Sequence, residues 1–329
     1  MKTALCDILG IEAPIIQAPM AGAVGPTLAA AVSNAGALGM LAPWRADRAT
    51  LQRLIRETKA LTSKPFGINL NLEFPQEERL EICLTEGVRV ISFFWRDPSA
   101  LVPRAKAAGA TVLHTIGTAA DAKRAADSGV DVVVAQGWEA GGHVRGTVAT
   151  MPLVPAVVDA VAPVPVVAAG GIADGRGLAA ALALGAAGAW IGTRFLASEE
   201  AAIHPHYRQR LLHAVESDTV YTENLFDVGW PNAPHRTLRN RTVEAWEAAG
   251  RPPSGHRPGE GEVIGNSRPV GPILRYQSFT PGIAAEGDID AMSLWAGQTV
   301  GLISKVQPAG EIVREIVDDA RAILEQLRS

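Results

Sequence analysis

The stretch VPVVAAGGIADGRGLAAALALGAAGAWIGTRFL, Val164 to Leu196, decides how the chain is read. It opens on a short β-branched run and breaks at the pair Gly170–Gly171. It continues as an alanine- and leucine-rich helical pattern, then returns to a second apolar run, AWIGTRFL at 189–196. Strand, glycine turn, helix and strand make one β–α–β unit. The runs are apolar throughout rather than alternating, as strands buried on both faces require.

The same unit recurs upstream. Strand-like runs lie at PIIQAPM (14–20), ALGMLA (37–42), PFGINLNL (65–72), VRVISFFW (88–95), ATVLHTIG (110–117) and VDVVVAQG (130–137). Helical patterns separate them and end in glycine. Gly36, Gly87, Gly109, Gly129 and either Gly185 or Gly188 are the expected C-caps. With VPVVAAGG (164–171) and AWIGTRFL (189–196) this makes eight strands, the number that closes a (β/α)8 TIM barrel, and an α/β fold of that kind is the reading. A doubly wound nucleotide fold would carry G-x-G-x-x-G after its first strand, and APMAGAVGP at 18–26 does not. Residues 203–290 lose the β–α rhythm and are expected to form a smaller, partly helical region that covers substrate. Residues 1–202 and 291–329 are assigned to the barrel. The chain ends in an amphipathic pattern with Ile312, Ile316, Ala320 and Ile323 on one stripe, expected to pack back on the barrel.

With 329 residues, 47% of them hydrophobic, there is ample material for a large core. A net charge of −4 and no long basic run argue against nucleic acid or an anionic membrane as partner. Cys6 and Cys83 lack metal-ligand spacing, and the first residues lack an export signal, so a reduced, cytoplasmic protein is expected. Self-association, if present, is expected as a homodimer.

Active sites of such barrels lie at the C-terminal ends of the strands. The exits are therefore the informative residues: Pro19, Met20 and Ala21 after the first strand, Asn69 and Asn71 on the third, and Gln136 after the sixth. Gly170 and Gly171 follow the seventh, and Gly192 and Thr193 lie within the eighth. Glycines ahead of a helix let backbone N–H groups approach an anion, so a phosphate is expected at Gly170–Gly171 and Gly192–Thr193. No GK[ST] ending follows, which argues against a nucleotide triphosphate. Gln136 leads into AQGWEAGGHVRG, Ala135 to Gly146, where His143 sits among glycines on what reads as a flexible loop.

IIQAPMAG, SNAGALGML, PFGINL, AQGWEAGGHVRG, AAGGIADGRGLAAALALGA and IGTRFL together resemble, in order and spacing, the nitronate monooxygenases, formerly 2-nitropropane dioxygenases. The resemblance covers roughly residues 5–200 and returns at LWAGQTVGLI, 294–303. It implies an FMN-dependent oxidoreductase that converts alkyl nitronates or nitroalkanes and O2 to a carbonyl compound and nitrite. It further implies that Pro19, Met20 and Ala21 lie against the flavin and that Asn69 and Gln136 bond its ring or ribityl chain. Gly141, Gly170, Gly171, Gly192 and Thr193 would surround the phosphate, and His143 would be the catalytic residue. Trp295 stands where close relatives are expected to carry tyrosine. The motifs are shared with enoyl-acyl-carrier-protein reductases of the FabK type and with NADH:quinone reductases. A NAD(P)H-dependent flavin reductase acting on a quinone or enoyl thioester is therefore the alternative.

A histidine beside the cofactor either takes a proton from a neutral nitroalkane or, if cationic, orients a nitronate's oxygens. Glu139 is read as a water-facing loop carboxylate, His114 as a structural histidine and Asp174 as an N-cap. His204, His206 and His213 lie around a helix start and are not assigned a metal. Trp44, Phe93, Phe94, Trp95 and Trp138 gather at strand exits, where they either wall a substrate pocket or pack in the core.

Overall fold

The computed structural model describes residues 1–268 and 270–327. Helix α1 (Ala4–Leu9) precedes eight parallel strands. They are β1 (Ile15–Gln17), β2 (Gly39–Leu41), β3 (Phe66–Asn71), β4 (Val90–Phe94), β5 (Thr111–Ile116), β6 (Val132–Gln136), β8 (Val166–Ala169) and β9 (Gly188–Ile191). A two-residue strand, β7 (Gly142–His143), interrupts the series. The sheet order is β1-β9-β8-β6-β5-β4-β3-β2, and a parallel bridge from Ile16 to Leu38 brings the two ends together. The barrel is thereby closed.

Helices α2 (Pro26–Asn34), α3 (Arg48–Leu61), α4 (Glu77–Thr85), α5 (Val102–Ala107), α6 (Ala119–Asp127), α7 (Thr150–Val161) and α8 (Gly175–Ala183) return the chain between strands. The strands are apolar on both faces because each face is buried differently. Val132 and Val134 point into the barrel with Ile16, Met40, Leu113, Val167 and Trp190. Val133 and Ala135 point outward against the helix layer. Leu5 and Leu9 of α1 plug the barrel's N-terminal end. The burial of these branched side chains, each contributing about 1.5–3 kcal/mol, holds the two layers together.

Gly36, Gly87, Gly109, Gly129 and Gly185 all follow helices in the left-handed conformation, with φ between 74° and 92°. Gly188 instead starts β9. The eighth predicted strand is half correct: Gly188–Ile191 is extended, whereas Thr193–Leu196 forms a single helical turn, α9. Gly192 breaks the strand there.

After α9 come α10 (Pro205–His213), β10 (Thr219–Thr222), β11 (His235–Leu238) and α11 (Arg241–Ala248). The antiparallel trio β12 (Val263–Ser267), β13 (Gly271–Leu274) and β14 (Ala285–Gly287) follows. The region thus forms one three-stranded antiparallel sheet of its own and a second in which β10 and β11 pair with β7, where the sequence pattern predicts only partly helical structure. The buried Arg257 ties the segment together, pairing with Asp227 at 2.8 Å and with Glu260 while lying over Tyr276. The final helix, α12 (Ala309–Gln326), buries Ile312, Val313, Ile316 and Ala320 against α8 and α2, with Ile323 half-buried. No helix among the described residues is long and apolar enough to cross a membrane.

Candidate active site

A cavity of about 510 Å³ opens at the C-terminal ends of the barrel strands. One side is formed by the exits of β1 and β2, Asn69 and Asn71 of β3, the Gln136–His143 segment, Gly170–Ile172 and Gly192–Thr193. Trp230, Gln277–Thr280 and Trp295 close the other. Every residue named from the resemblance, Pro19, Met20, Ala21, Asn69, Gln136, Gly141, His143, Gly170, Gly171, Gly192 and Thr193, borders it.

The glycine side is built of backbone. Gly170 and Gly171 take φ of 91° and 73°, a turn open to glycine at low cost. The N–H groups of Gly171, Gly192 and Thr193 have no acceptor among the described residues. They form a donor cluster suited to an anion. The α8 N-terminus does not join it. Asp174 caps that helix, accepting from the N–H groups of Arg176 and Gly177, and Gly175 packs against α12. The turn therefore presents the donors, not the helix end. A Cβ on Gly141 would sit 2.3 Å from the Gly297 nitrogen, so only glycine admits the 296–297 segment here. Gly297 N also donates to Thr193 Oγ1 at 3.0 Å.

The asparagines differ. Asn69 Nδ2 lies 3.2 Å from Ser92 Oγ, its neighbour on β4. Asn71 Oδ1 accepts from Glu73 N, but its Nδ2 is enclosed without a partner among the described residues. Gln136 spends its amide on the loop that follows: Nε2 donates to His143 O at 2.9 Å and Oε1 accepts from Arg145 N at 2.8 Å.

The histidine loop is consequently not free. Gly142 and His143 pair antiparallel with β11, His143 opposite His235. The imidazole stacks on Trp230 at 3.8 Å between centroids and lies 5.2 Å from Trp295. Its Nε2 is enclosed with no hydrogen-bond partner among the described residues. Burial pushes its pKa well below the ordinary value, and the positive charge of His235, when that ring is protonated, and of Arg45 acts in the same direction. At neutral pH His143 is therefore uncharged, able to accept a proton and not able to act as a fixed cation.

Other readings are corrected or completed. Glu139 does not face water freely, since its carboxylate accepts from Thr150 N at the start of α7 at 3.1 and 3.2 Å. His114 is buried, bonds Phe93 O at 3.1 Å and is lowered to about 4 by desolvation. His204 caps α10, His206 reaches Asp290 at 3.4 Å, and His213 bonds Gln209 O. Trp44 and Phe94 line the cavity, and Trp95 backs it against Trp230 at 5.0 Å. Phe93 faces the helix layer, while Trp138 packs on Tyr221 and Arg236 outside the cavity.

Trp230 was not singled out from sequence, although it touches Trp44, Phe74, Phe94, Trp95 and His143. Its only local signal is its position between Gly229 and Pro231. Arg45 was missed although it leaves the second strand, where the strand-exit rule applies.

A family model described as nitronate monooxygenase matches residues 2–81 and 71–319. The chain is 36% identical over 345 residues to a 5-hydroxy-7a-methyl-1-oxo-octahydro-1H-indene-4-carboxyl-CoA dehydrogenase of Rhodococcus jostii, covering 97% of this chain and 96% of that one. It is 32% identical over 376 residues to a nitronate monooxygenase of Paraburkholderia phytofirmans, covering 99% and 97%. Among solved structures, FabK from Thermotoga maritima superposes with a TM-score of 0.83 at 32% identity over 100% of this chain and 99% of that one. Barrel, cavity and sequence agree: the chain is an oxidoreductase that belongs to the nitronate monooxygenase family.

Proposed function

We propose that the protein oxidises alkyl nitronates, and neutral nitroalkanes, with molecular oxygen to a carbonyl compound and nitrite, using FMN. The observation that carries this reading is His143, a residue bordering the cavity beside a glycine donor cluster, with an uncharged imidazole whose enclosed Nε2 has no partner among the described residues.

The lining suits a flavin mononucleotide. Free N–H groups at Gly171, Gly192 and Thr193 would hold its phosphate, and the unpartnered Asn71 Nδ2, with Asn69 beside it, would meet polar ring or ribityl atoms. Pro19, Met20 and Ala21 would flank it with backbone. FMN, when bound, supplies the two-electron chemistry between substrate and oxygen. The chain supplies position and proton handling. His143 Nε2 takes the α-carbon proton of a neutral nitroalkane, a step that a preformed nitronate does not need. Trp230 and Trp295 shield that nitrogen from water, which keeps it neutral. In this proposal residues 1–202 and 291–329 hold the cofactor and residues 203–290 enclose the substrate.

A second reading is favoured by the relatives named as a CoA dehydrogenase and as FabK. An acyl thioester is also a carbon acid, though a much weaker one than a nitroalkane, and its flavin chemistry fits the same cavity. The alternative is a NAD(P)H-dependent flavin reductase of an enoyl thioester or quinone. Anaerobic stopped-flow absorbance of the FMN-loaded protein separates the two. Bleaching by propyl-2-nitronate with no response to NADH or NADPH supports the oxidase. Bleaching by a nicotinamide alone rejects it.

A further inference from the structure

Arg45 is a charge in the cavity wall that the fold does not neutralise. It lies in the exit of β2 at the mouth, exposed, with its guanidinium carbon 4.6 Å from the Trp44 ring centroid and 4.8 Å from that of Phe74. Nη2 donates to Gly229 O at 2.7 Å. A guanidinium has five N–H donors, and that carbonyl is its one hydrogen-bond partner among the described residues.

The acidic groups flanking this cluster in sequence are committed elsewhere. Asp47 caps Thr50 N at 2.7 Å, Glu73 pairs with Arg96 at 2.7 Å, and Asp227 pairs with Arg257 at 2.8 Å. Glu139, the carboxylate in the wall, accepts from Thr150 N. His143 cannot provide the missing positive charge because it is neutral, and the field of Arg45 helps to keep it so. Two aromatic faces orient the guanidinium and leave its remaining donors free.

We propose that Arg45, not His143, recognises the anionic form of the substrate, its free donors pairing with the two nitro oxygens of a nitronate at the cavity mouth. This rests on the reading of the protein as a nitronate oxidase. It assigns the two substrate forms to different residues: the anion's charge is met by Arg45, and the neutral form's proton is taken by His143.

Arg45 also braces Gly229 and hence the turn carrying Trp230, so the test must separate recognition from support. The measurement is kcat/KM for propyl-2-nitronate and for 2-nitropropane, each assayed before the two forms interconvert, in wild type, Arg45→Lys and Arg45→Met. Recognition predicts that the nitronate-to-nitroalkane ratio falls roughly 10- to 100-fold in Arg45→Met and recovers partly in Arg45→Lys. A purely bracing role lowers both substrates alike, and an unchanged ratio overturns the proposal. If wild type turns over neither compound, the oxidase reading fails, and Arg45 is judged by anaerobic binding of propyl-2-nitronate read from tryptophan fluorescence. Weaker binding by Arg45→Met than by wild type supports the assignment. Equal binding, or none by wild type, overturns it.

Discussion

The glycine wall and the aromatic wall at the cavity are assembled by different means. The first is backbone: Gly170–Gly171, Gly192–Thr193 and Gly141 bring N–H groups and tight turns to the ends of neighbouring strands. The second is side chain: Trp44, Phe74, Phe94, Trp95, Trp230 and Trp295 come from five separate segments, and Trp95, Trp230 and Trp295 pack against His143. On the proposed reading, the backbone donors would hold the anionic group of the cofactor. On the same reading, the aromatic and arginine side chains would set substrate choice. The proposal thus assigns cofactor affinity to one group and chemistry and selectivity to the other.

The sharpest way to break this division is His143→Ala. Turnover of 2-nitropropane should fall about 10²- to 10⁴-fold, the range for a lost general base. FMN content of the purified protein, read from its visible absorbance, should not change. Loss of flavin together with activity would mean the walls are not separable. Next in size is Trp230→Ala, which opens the centre of the aromatic wall. Removing this buried indole, 2% exposed, should cost about 3–5 kcal/mol in chemical denaturation. It should also bring the His143 pKa back toward its ordinary value, seen as a new acidic limb in the pH profile of kcat/KM.

Acid provides a third test, because each wall is backed by a buried neutral histidine. His114 behind the barrel side and His235 behind the covering side are both lowered to about 4, chiefly by burial. The unfolded chain binds protons below about pH 6.5, whereas the folded chain resists until near 4. Stability should therefore be full above about pH 6.5 and lost as pH falls, approaching about 3 kcal/mol for each histidine near pH 4. Urea midpoints at about pH 7.5 and about pH 5 check the sign, and equal midpoints would refute it. The smallest effect expected is from Gly141→Ala. Its methyl group would press on the backbone of Ala296 and Gly297, costing about 1–3 kcal/mol with a parallel loss of retained FMN. Unchanged flavin retention would remove Gly141 from the cofactor wall.

Much of this was legible in the residues. Unbroken apolar runs and glycine stops announced the eight strands, since burial on two faces and left-handed helix exits each leave a local mark. The strand-exit rule located the glycine wall for the same reason. What it misjudged was local behaviour under tertiary constraint. The His143 loop read as flexible because four glycines stand in Ala135–Gly146, yet pairing with β11 and the Gln136 amide hold it. Glu139 read as solvated, yet it accepts from Thr150 N at the start of α7. The antiparallel strands of the covering region carry little alternation, so no periodic signal marked them.

The sequence alone thus determined the barrel, its order of strands and glycine turns, and the histidine at its mouth, because those features are written in neighbouring residues. Only the tertiary structure decided that His143 is neutral, that Trp230 stacks on it and that Arg45 has no ion-pair partner among the described residues. Each depends on segments far apart in the chain: Arg45 meets the carbonyl of Gly229, and His143 meets Trp230, only once the barrel and its cover have folded. Charge state and recognition arise from desolvation and long-range juxtaposition, which no local pattern of residues encodes.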